Sequence, residues 1–391
     1  MKKLSLLVVM CVVVNGLLFA EEIKLDPFEM PTTRSLALGG SHAAYTWGPS
    51  ALFDNPAELR SVKGGSILGL NIGLYDPPFL NKLALLFTGD DPIDFDNDAS
   101  GATSRILEAV GGGALAGLDI RGPLSFGFVA GGFGLGINDR IYTKFQFYSN
   151  GDIDLKINAD VVVNAGYAFR LIDSFLLKVD AGFAAKAFGR VRADVDTGIL
   201  PLLPAVSGNG DIVETLLKGQ NIPLIAGAGV DLGATVRLFN DIAISLVYRD
   251  IYSAGKEVMS VYGDADLSDT TYRVPSTLAL GASYKFRLGS LLSLAVMADY
   301  KDFIGLFEYL DEDKRLTLPN PLLQMSVGAE VGFFNDLLFV RAGLNELNPA
   351  VGLGLNLKVF KIDAALYGKE LGLYRGHNPS WAFDLGLNFG W

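Results

Sequence analysis

Trp381-Ala382-Phe383-Asp384-Leu385-Gly386-Leu387-Asn388-Phe389-Gly390-Trp391 ends the chain and alternates without exception. Trp381, Phe383, Leu385, Leu387, Phe389 and Trp391 fall on one side of an extended backbone, and the small or polar residues between them fall on the other. A period of two marks a β-strand. One such strand fits a soluble sheet as well as a membrane barrel, so repetition decides.

The pattern recurs at Leu278/Leu280/Ala282/Tyr284/Phe286, at Met325/Val327/Ala329/Val331/Phe333 and at Val351/Leu353/Leu355/Leu357/Val359, each interleaved with Gly, Ser, Asn, Lys or Glu. Soluble sandwiches turn their charges to water. Here Asp119, Lys156, Asp160, Lys178, Asp180, Asp231, Arg249, Asp299, Arg341 and Asp363 share the face opposite the apolar one on strand after strand. That is the arrangement of a barrel whose outside meets lipid and whose lumen is polar. The expectation is therefore an all-β, transmembrane antiparallel β-barrel of about 14 strands between Ile67 and Trp391.

Short turn signals at Arg121-Gly122-Pro123, Leu171-Ile172-Asp173, Phe239-Asn240-Asp241, Leu288-Gly289-Ser290 and Asn335-Asp336 mark the periplasmic connections. Longer stretches at 76–112, 137–154, 191–224, 254–273, 304–319 and 370–379 mark the extracellular loops. An even strand number places both mature termini on the periplasmic side.

One strand changes phase. Apolar residues sit at even positions from Leu124 to Ala130 and at odd positions from Phe133 to Ile137, with Gly131-Gly132 between. A bulge or kink at Gly131 and Gly132 repairs the phase. It is either a local twist device or a gap in the wall, and the residues alone favour the first.

Composition narrows the rest. Half of the 391 residues are hydrophobic, yet no uninterrupted apolar run of about 18 residues follows the first twenty. Residues 1–20, with Lys2, Lys3, an apolar stretch from Leu4 to Phe19 and Ala20 before Glu21, read as a secretory signal peptide. Its removal takes away Cys11, the single cysteine, and shifts the net charge from -11 to -13. No thiol chemistry remains, and nucleic acid is excluded as a partner.

Residues 21–63 lack strand alternation, and a barrel of about 14 strands is wide enough to be an open channel unless something fills it. Within this stretch Arg34-Ser35-Leu36-Ala37-Leu38-Gly39-Gly40-Ser41-His42-Ala43 and Ser50-Ala51-Leu52-Phe53-Asp54-Asn55-Pro56-Ala57-Glu58-Leu59 resemble the N-terminal hatch of the FadL/TodX family of outer-membrane transporters for long-chain fatty acids and other hydrophobic compounds. The resemblance implies three parts: a signal peptide (1–20), a hatch or plug in the lumen (21–63) and a barrel (64–391). It assigns Leu38, Gly39, Gly40, Asn55, Pro56 and Ala57 to the plug, and it turns the phase change at Gly131 and Gly132 into a lateral opening beside the hatch.

The same resemblance gives an apolar ligand-capture role to Ile199, Leu200, Leu202 and Leu203 and, on a short helix after Asp211, to Ile212, Leu216 and Leu217. The alternative is a loop that packs on itself. Asp94-Phe95-Asp96-Asn97-Asp98 opens like a calcium loop but continues with Ala99 and Arg105 where the template needs Gly and Glu, so it reads as a solvated acidic loop. The two histidines, His42 and His377, lack the partners of a catalytic constellation. No metal ligand set and no cofactor are expected.

The function expected is passive transport of hydrophobic molecules across the bacterial outer membrane, with a fatty acid or similar ligand, the surrounding lipid, and the barrel-assembly machinery, reached through the strand ending at Trp391, as partners. A general porin and a structural or secretion-shuttle barrel are the alternatives.

Overall fold

The computed structural model describes residues 22–76, 114–148, 152–198, 222–262, 270–310, 324–370 and 379–391, with residues 81, 82, 85, 98, 101, 104, 105 and 108 between the first two. The signal peptide, Asp94 to Asn97 of the acidic loop, Ile199 to Leu217 of the capture loop and His377 lie outside the described residues.

Fourteen antiparallel strands form one closed sheet. They are β1 (Gly64–Tyr75), β2 (Ala114–Arg121 and Phe126–Ala130), β3 (Phe133–Phe147), β4 (Asp152–Asp173), β5 (Leu177–Gly198), β6 (Ile222–Leu238) and β7 (Ile242–Tyr262). Then come β8 (Thr271–Arg273 and Thr277–Leu288), β9 (Leu292–Tyr300), β10 (Met325–Phe333), β11 (Leu338–Asn345), β12 (Asn348–Asn356), β13 (Phe360–Glu370) and β14 (Pro379–Gly390). Each pairs with its sequence neighbours, and β14 closes on β1 from Ala382↔Tyr75 to Gly390↔Ser66. Closure satisfies every strand edge, the condition for a sheet to stand in lipid.

The outer surface carries the apolar half of each alternation: Phe126, Val163, Phe183, Leu246, Leu280, Val327, Leu353, Phe383 and Leu385 are all exposed. In β14 the exposed Trp381, Phe383 and Leu385 alternate with buried Ala382, Asp384 and Gly386. No described helix is long and apolar enough to cross a membrane. This is a transmembrane β-barrel.

Strand lengths are uneven. β4 and β5 have 22 residues each, whereas β9 and β10 have nine and β11 has eight. A tilted strand needs about 9–11 residues to span the bilayer, so the wall from β9 to β12 barely crosses it and the wall from β4 to β7 stands well above it.

Three features differ from the sequence expectation. Gly131 and Gly132 are not a kink within a strand. Ala130 pairs with Phe133 and Phe126 with Ile137, and both glycines have positive φ (63° and 95°), which makes them the two-residue turn of a hairpin. Across such a turn every pair joins an even to an odd residue, so the phase change follows from the hairpin itself.

Conversely, Arg121-Gly122-Pro123 is not a turn between strands. Arg121 pairs with Arg140 and Phe126 with Ile137, so four residues of β2 face two of β3, and the β1–β2 ladder stops between Asn71↔Arg121 and Ser66↔Gly127. The regular ladder is broken at Gly122–Ser125, although Gly122 N still donates to Asp139 O at 3.1 Å and Gly122 packs against the Gly69 backbone. Leu171-Ile172-Asp173 is the end of β4, and the turn follows at Ser174, whose hydroxyl donates to the Leu177 carbonyl. Likewise, β3, β4 and β7 run through much of 137–154 and 254–273.

The third difference is the start of the chain. Glu22–Lys24 pairs in parallel with Thr271–Arg273, at the long-loop end of β8, while Trp391 sits beside Gly65 at the short-turn end. The first described residues therefore lie at the long-loop end of the lumen, opposite Trp391, because the segment is long enough to run the length of the barrel before β1 begins.

Candidate functional site

Residues 25–62 fill the lumen. Residues 25–31 are extended; then come helix α1 (Thr33–Ala37), helix α2 (Ala51–Asp54) and 3-10 turns at Gly48–Ser50 and Pro56–Arg60. Thr32 starts α1 by accepting from Ser35 N at 3.1 Å, with Ser35 returning a bond to the Thr32 backbone, a capping box with Ser in the third position.

The two motifs that carry the resemblance explain themselves by contact. Gly39 (φ 81°) ends the helix against β11, where a Cβ would come within 2.6 Å of the Leu344 carbonyl oxygen, so Leu38-Gly39 seats flush on the wall. Asn55 is fully buried; its amide donates to Ala43 O (2.8 Å) and Thr235 Oγ1 (3.0 Å), and its Oδ1 accepts from Ala57 N (3.0 Å). Pro56 enters the 3-10 turn without needing a donor, and Ala57 lies against Gly233, where any side chain would collide with Asn55.

Charged side chains tie this part to the wall around its circumference. Thr33 Oγ1 donates to Asp384 at 2.5 Å. Arg34 forms a two-pronged bond to Glu330, 2.9 Å at each oxygen, and Tyr45 donates to the same carboxylate. His42 Nε2 donates to Leu38 O (2.9 Å) while Nδ1 lies 2.5 Å from Asp299, whose other oxygen accepts from Ala43 N at 2.7 Å. Glu58 pairs with Arg237, which also reaches Asp180 at 2.6 Å. Burial raises the Asp54 and Glu58 carboxyls above their ordinary range, against the pull of neighbouring hydrogen bonds and arginines.

Residues 25–31 are held differently. Arg190, Arg140 and Arg121 donate to the carbonyls of Asp26 (2.7 Å), Glu29 (2.9 Å) and Pro31 (2.7 Å). Leu25 and Phe28 enter an apolar cluster with Val162, Phe188, Ile225 and Val274, with Phe28 stacked on Phe188 at 4.3 Å.

Most of the lumen charges expected from sequence sit in this network. Asp119 pairs with Arg140 (2.8 Å), Asp160 with Arg190 (2.6 Å), Asp180 with Arg170 (2.7 Å), Asp231 with Lys186 (3.1 Å) and Arg341 with Glu330 (2.6 Å) and Asp363 (2.5 Å). Lys156 reaches Asp26, and Arg249 donates to the carbonyls of Phe53 and Asp54. Sequence reasoning singled out neither the basic partners Arg121, Arg140, Lys186, Arg190 and Arg237 nor the role of His42. Their signal was a lone cation on the inward phase of a strand.

Between the segment and the wall lies a cavity of about 160 Å³. It runs from Thr33 and Trp47 across Ser66 and Gly69 to Ser125, Asn138 and Asp139, so it reaches the break in the ladder. Gly131 and Gly132 do not line it.

No family model matches this sequence, and no curated protein does either. Solved structures are similar over nearly the whole chain. The toluene transporter TbuX of Ralstonia pickettii shares 15% identity over 93% of this chain and 97% of its own (TM-score 0.46). The Pseudomonas putida toluene transporter TodX shares 11% over 94% and 99% (TM-score 0.42). A FadL homologue of Pseudomonas aeruginosa shares 12% over 92% and 98% (TM-score 0.43).

Proposed function

We propose that this is a bacterial outer-membrane transporter that carries hydrophobic molecules, long-chain fatty acids or similar amphiphiles, passively and releases them sideways into lipid, with residues 21–63 as its hatch. The observation that supports it is the continuity of the hatch-side cavity with the break in the ladder at Gly122–Ser125. A greasy solute partitions poorly into a water-filled pore, and an opening in the wall lets it pass from an apolar pocket to the bilayer without crossing water. On this reading the lateral exit is at Gly122–Ser125, since Gly131-Gly132 form a hairpin turn away from the cavity. Capture by Ile199–Leu217, export through a signal peptide at 1–20 and assembly through the strand ending at Trp391 belong to the same reading.

The experiment is uptake of a labelled long-chain fatty acid by cells lacking their own transporter, complemented with the wild type, with Ser125→Trp, or with a Gly131→Val/Gly132→Val double variant. Uptake restored by the wild type, lost with Ser125→Trp and kept by any double variant that reaches the membrane supports the reading. Steady conductance without uptake turns it into a porin. Absence of both, with a co-purifying protein, turns it into a shuttle barrel.

A further inference from the structure

At the short-turn end of the cavity, polar side chains stand side by side on adjacent strands. Lys361 on β13 is the register partner of Asn388 on β14, and Asn388 donates to Ser66 Oγ on β1 at 2.8 Å. Ser125 follows across Gly69, where a Cβ would lie 3.2 Å from Asn388 and 3.4 Å from Ser125; Asn138 on β3 comes next. This row leads from Lys361 to the break in the ladder. Facing it are Trp47, Pro49 and Phe53 of the lumen segment.

The charges along this track are unequal. Arg34, Arg121 and Arg341 line the cavity but are neutralised by Glu330, Asp384 and Asp363. Lys361 and the exposed Lys63 have no carboxylate partner among the described residues, and the Lys361 ammonium rests 5.4 Å from the Trp47 ring centroid. At the opposite end Asp139 Oδ1 is buried without a hydrogen-bond partner.

We infer that this track is a second, exit-side subsite, in which Lys361 and Trp47 hold the carboxylate head of a single-chain amphiphile while its tail lies along the apolar side toward Gly122–Ser125. Asp139 repels the head from the opening, so the tail leaves first. Lys361 exchanges a weak cation–π contact for a charge-assisted hydrogen bond in a site shielded from water. The inference rests on the transport reading and adds a demand that a neutral hydrocarbon does not meet.

The test uses the full chain carrying Trp381→Phe and Trp391→Phe in phosphatidylcholine vesicles, so that the cavity-lining Trp47 alone reports. A fatty acid brominated near its carboxylate should quench its emission about tenfold more tightly than the matching alcohol. Lys361→Met should remove that difference and leave the alcohol unchanged, while Lys361→Arg should keep it. Equal binding of acid and alcohol, or full acid affinity in Lys361→Met, overturns the subsite. Preferential quenching by brominated phosphatidylglycerol overturns it too, by assigning the site to a membrane lipid. Fatty-acid uptake measured on the same variants separates the two claims: uptake that persists while the Lys361 dependence is missing sinks the subsite and leaves transport standing.

Discussion

Residues 25–31 and 32–63 share one lumen but are held by opposite chemistries. The first stretch is gripped by arginines through its backbone carbonyls and by two apolar side chains, Leu25 and Phe28. The second is fixed mainly through its own side chains, from Arg34 on Glu330 to Glu58 on Arg237, with Arg249 adding a hold on the Phe53 and Asp54 carbonyls. A carbonyl clamp accepts nearly any sequence and lets it slide, whereas buried ion pairs accept one partner in one place. The difference separates a lead held mostly through its backbone from a body held mostly through its side chains.

The largest effect should come from the anchor. Glu330→Ala strands Arg34 and Tyr45 at once, leaves Arg341 with Asp363 alone, and should weaken docking of residues 32–63 by about 4 kcal/mol, seen as frequent channel openings in single-molecule conductance that the wild type lacks. Phe28→Ala should free residues 22–31 by about 3 kcal/mol, raising their amide exchange while leaving 51–60 protected. If both halves loosen together, the two-part description is wrong.

A smaller effect follows pH. The docked Asp54 carboxyl has a raised pKa, so the docked form holds its proton more tightly than the released form. Docking therefore strengthens as pH falls from neutral through that raised value to the ordinary 3.8, and it gains nothing further below. Intrinsic-rate-corrected amide exchange of residues 51–60 should slow as pH falls from neutral toward 3.8 in the wild type, and slow less in Asp54→Asn, where Glu58 alone is left to take up a proton. Smallest of all is Lys156→Ala, which removes a half-open pair with Asp26 and should cost no more than about 0.5 kcal/mol in the same exchange measurement on 22–31.

The barrel was legible because alternation is a local property written into every strand, and Trp381–Trp391 alone displays it. The hatch motifs were legible only as a pattern of small residues, and contact with Leu344 and Gly233 was needed to say why Gly39 and Asn55 must be what they are. The phase change at Gly131-Gly132 was seen but misassigned, since a bulge and a two-residue hairpin both reverse parity and only the pairing of Phe126 with Ile137 separates them. Gly122-Pro123 looked like a turn for the complementary reason: turn residues also occur where a ladder is broken without the chain reversing. Partners such as Arg190 and Asp160 are thirty positions apart, beyond any local signal.

The parallel pairing of Glu22–Lys24 with Thr271–Arg273 bears on how the molecule is made. The chain enters the lumen at one mouth and leaves it at Gly64 by the other, inside a ring sealed when the last strand meets the first. Its anchors reach β5, β6, β9, β10 and β14, strands that arrive at very different times during synthesis. Held at both mouths, the leading stretch is enclosed by the ring and has no sideways way out once the seam of β14 on β1 is made.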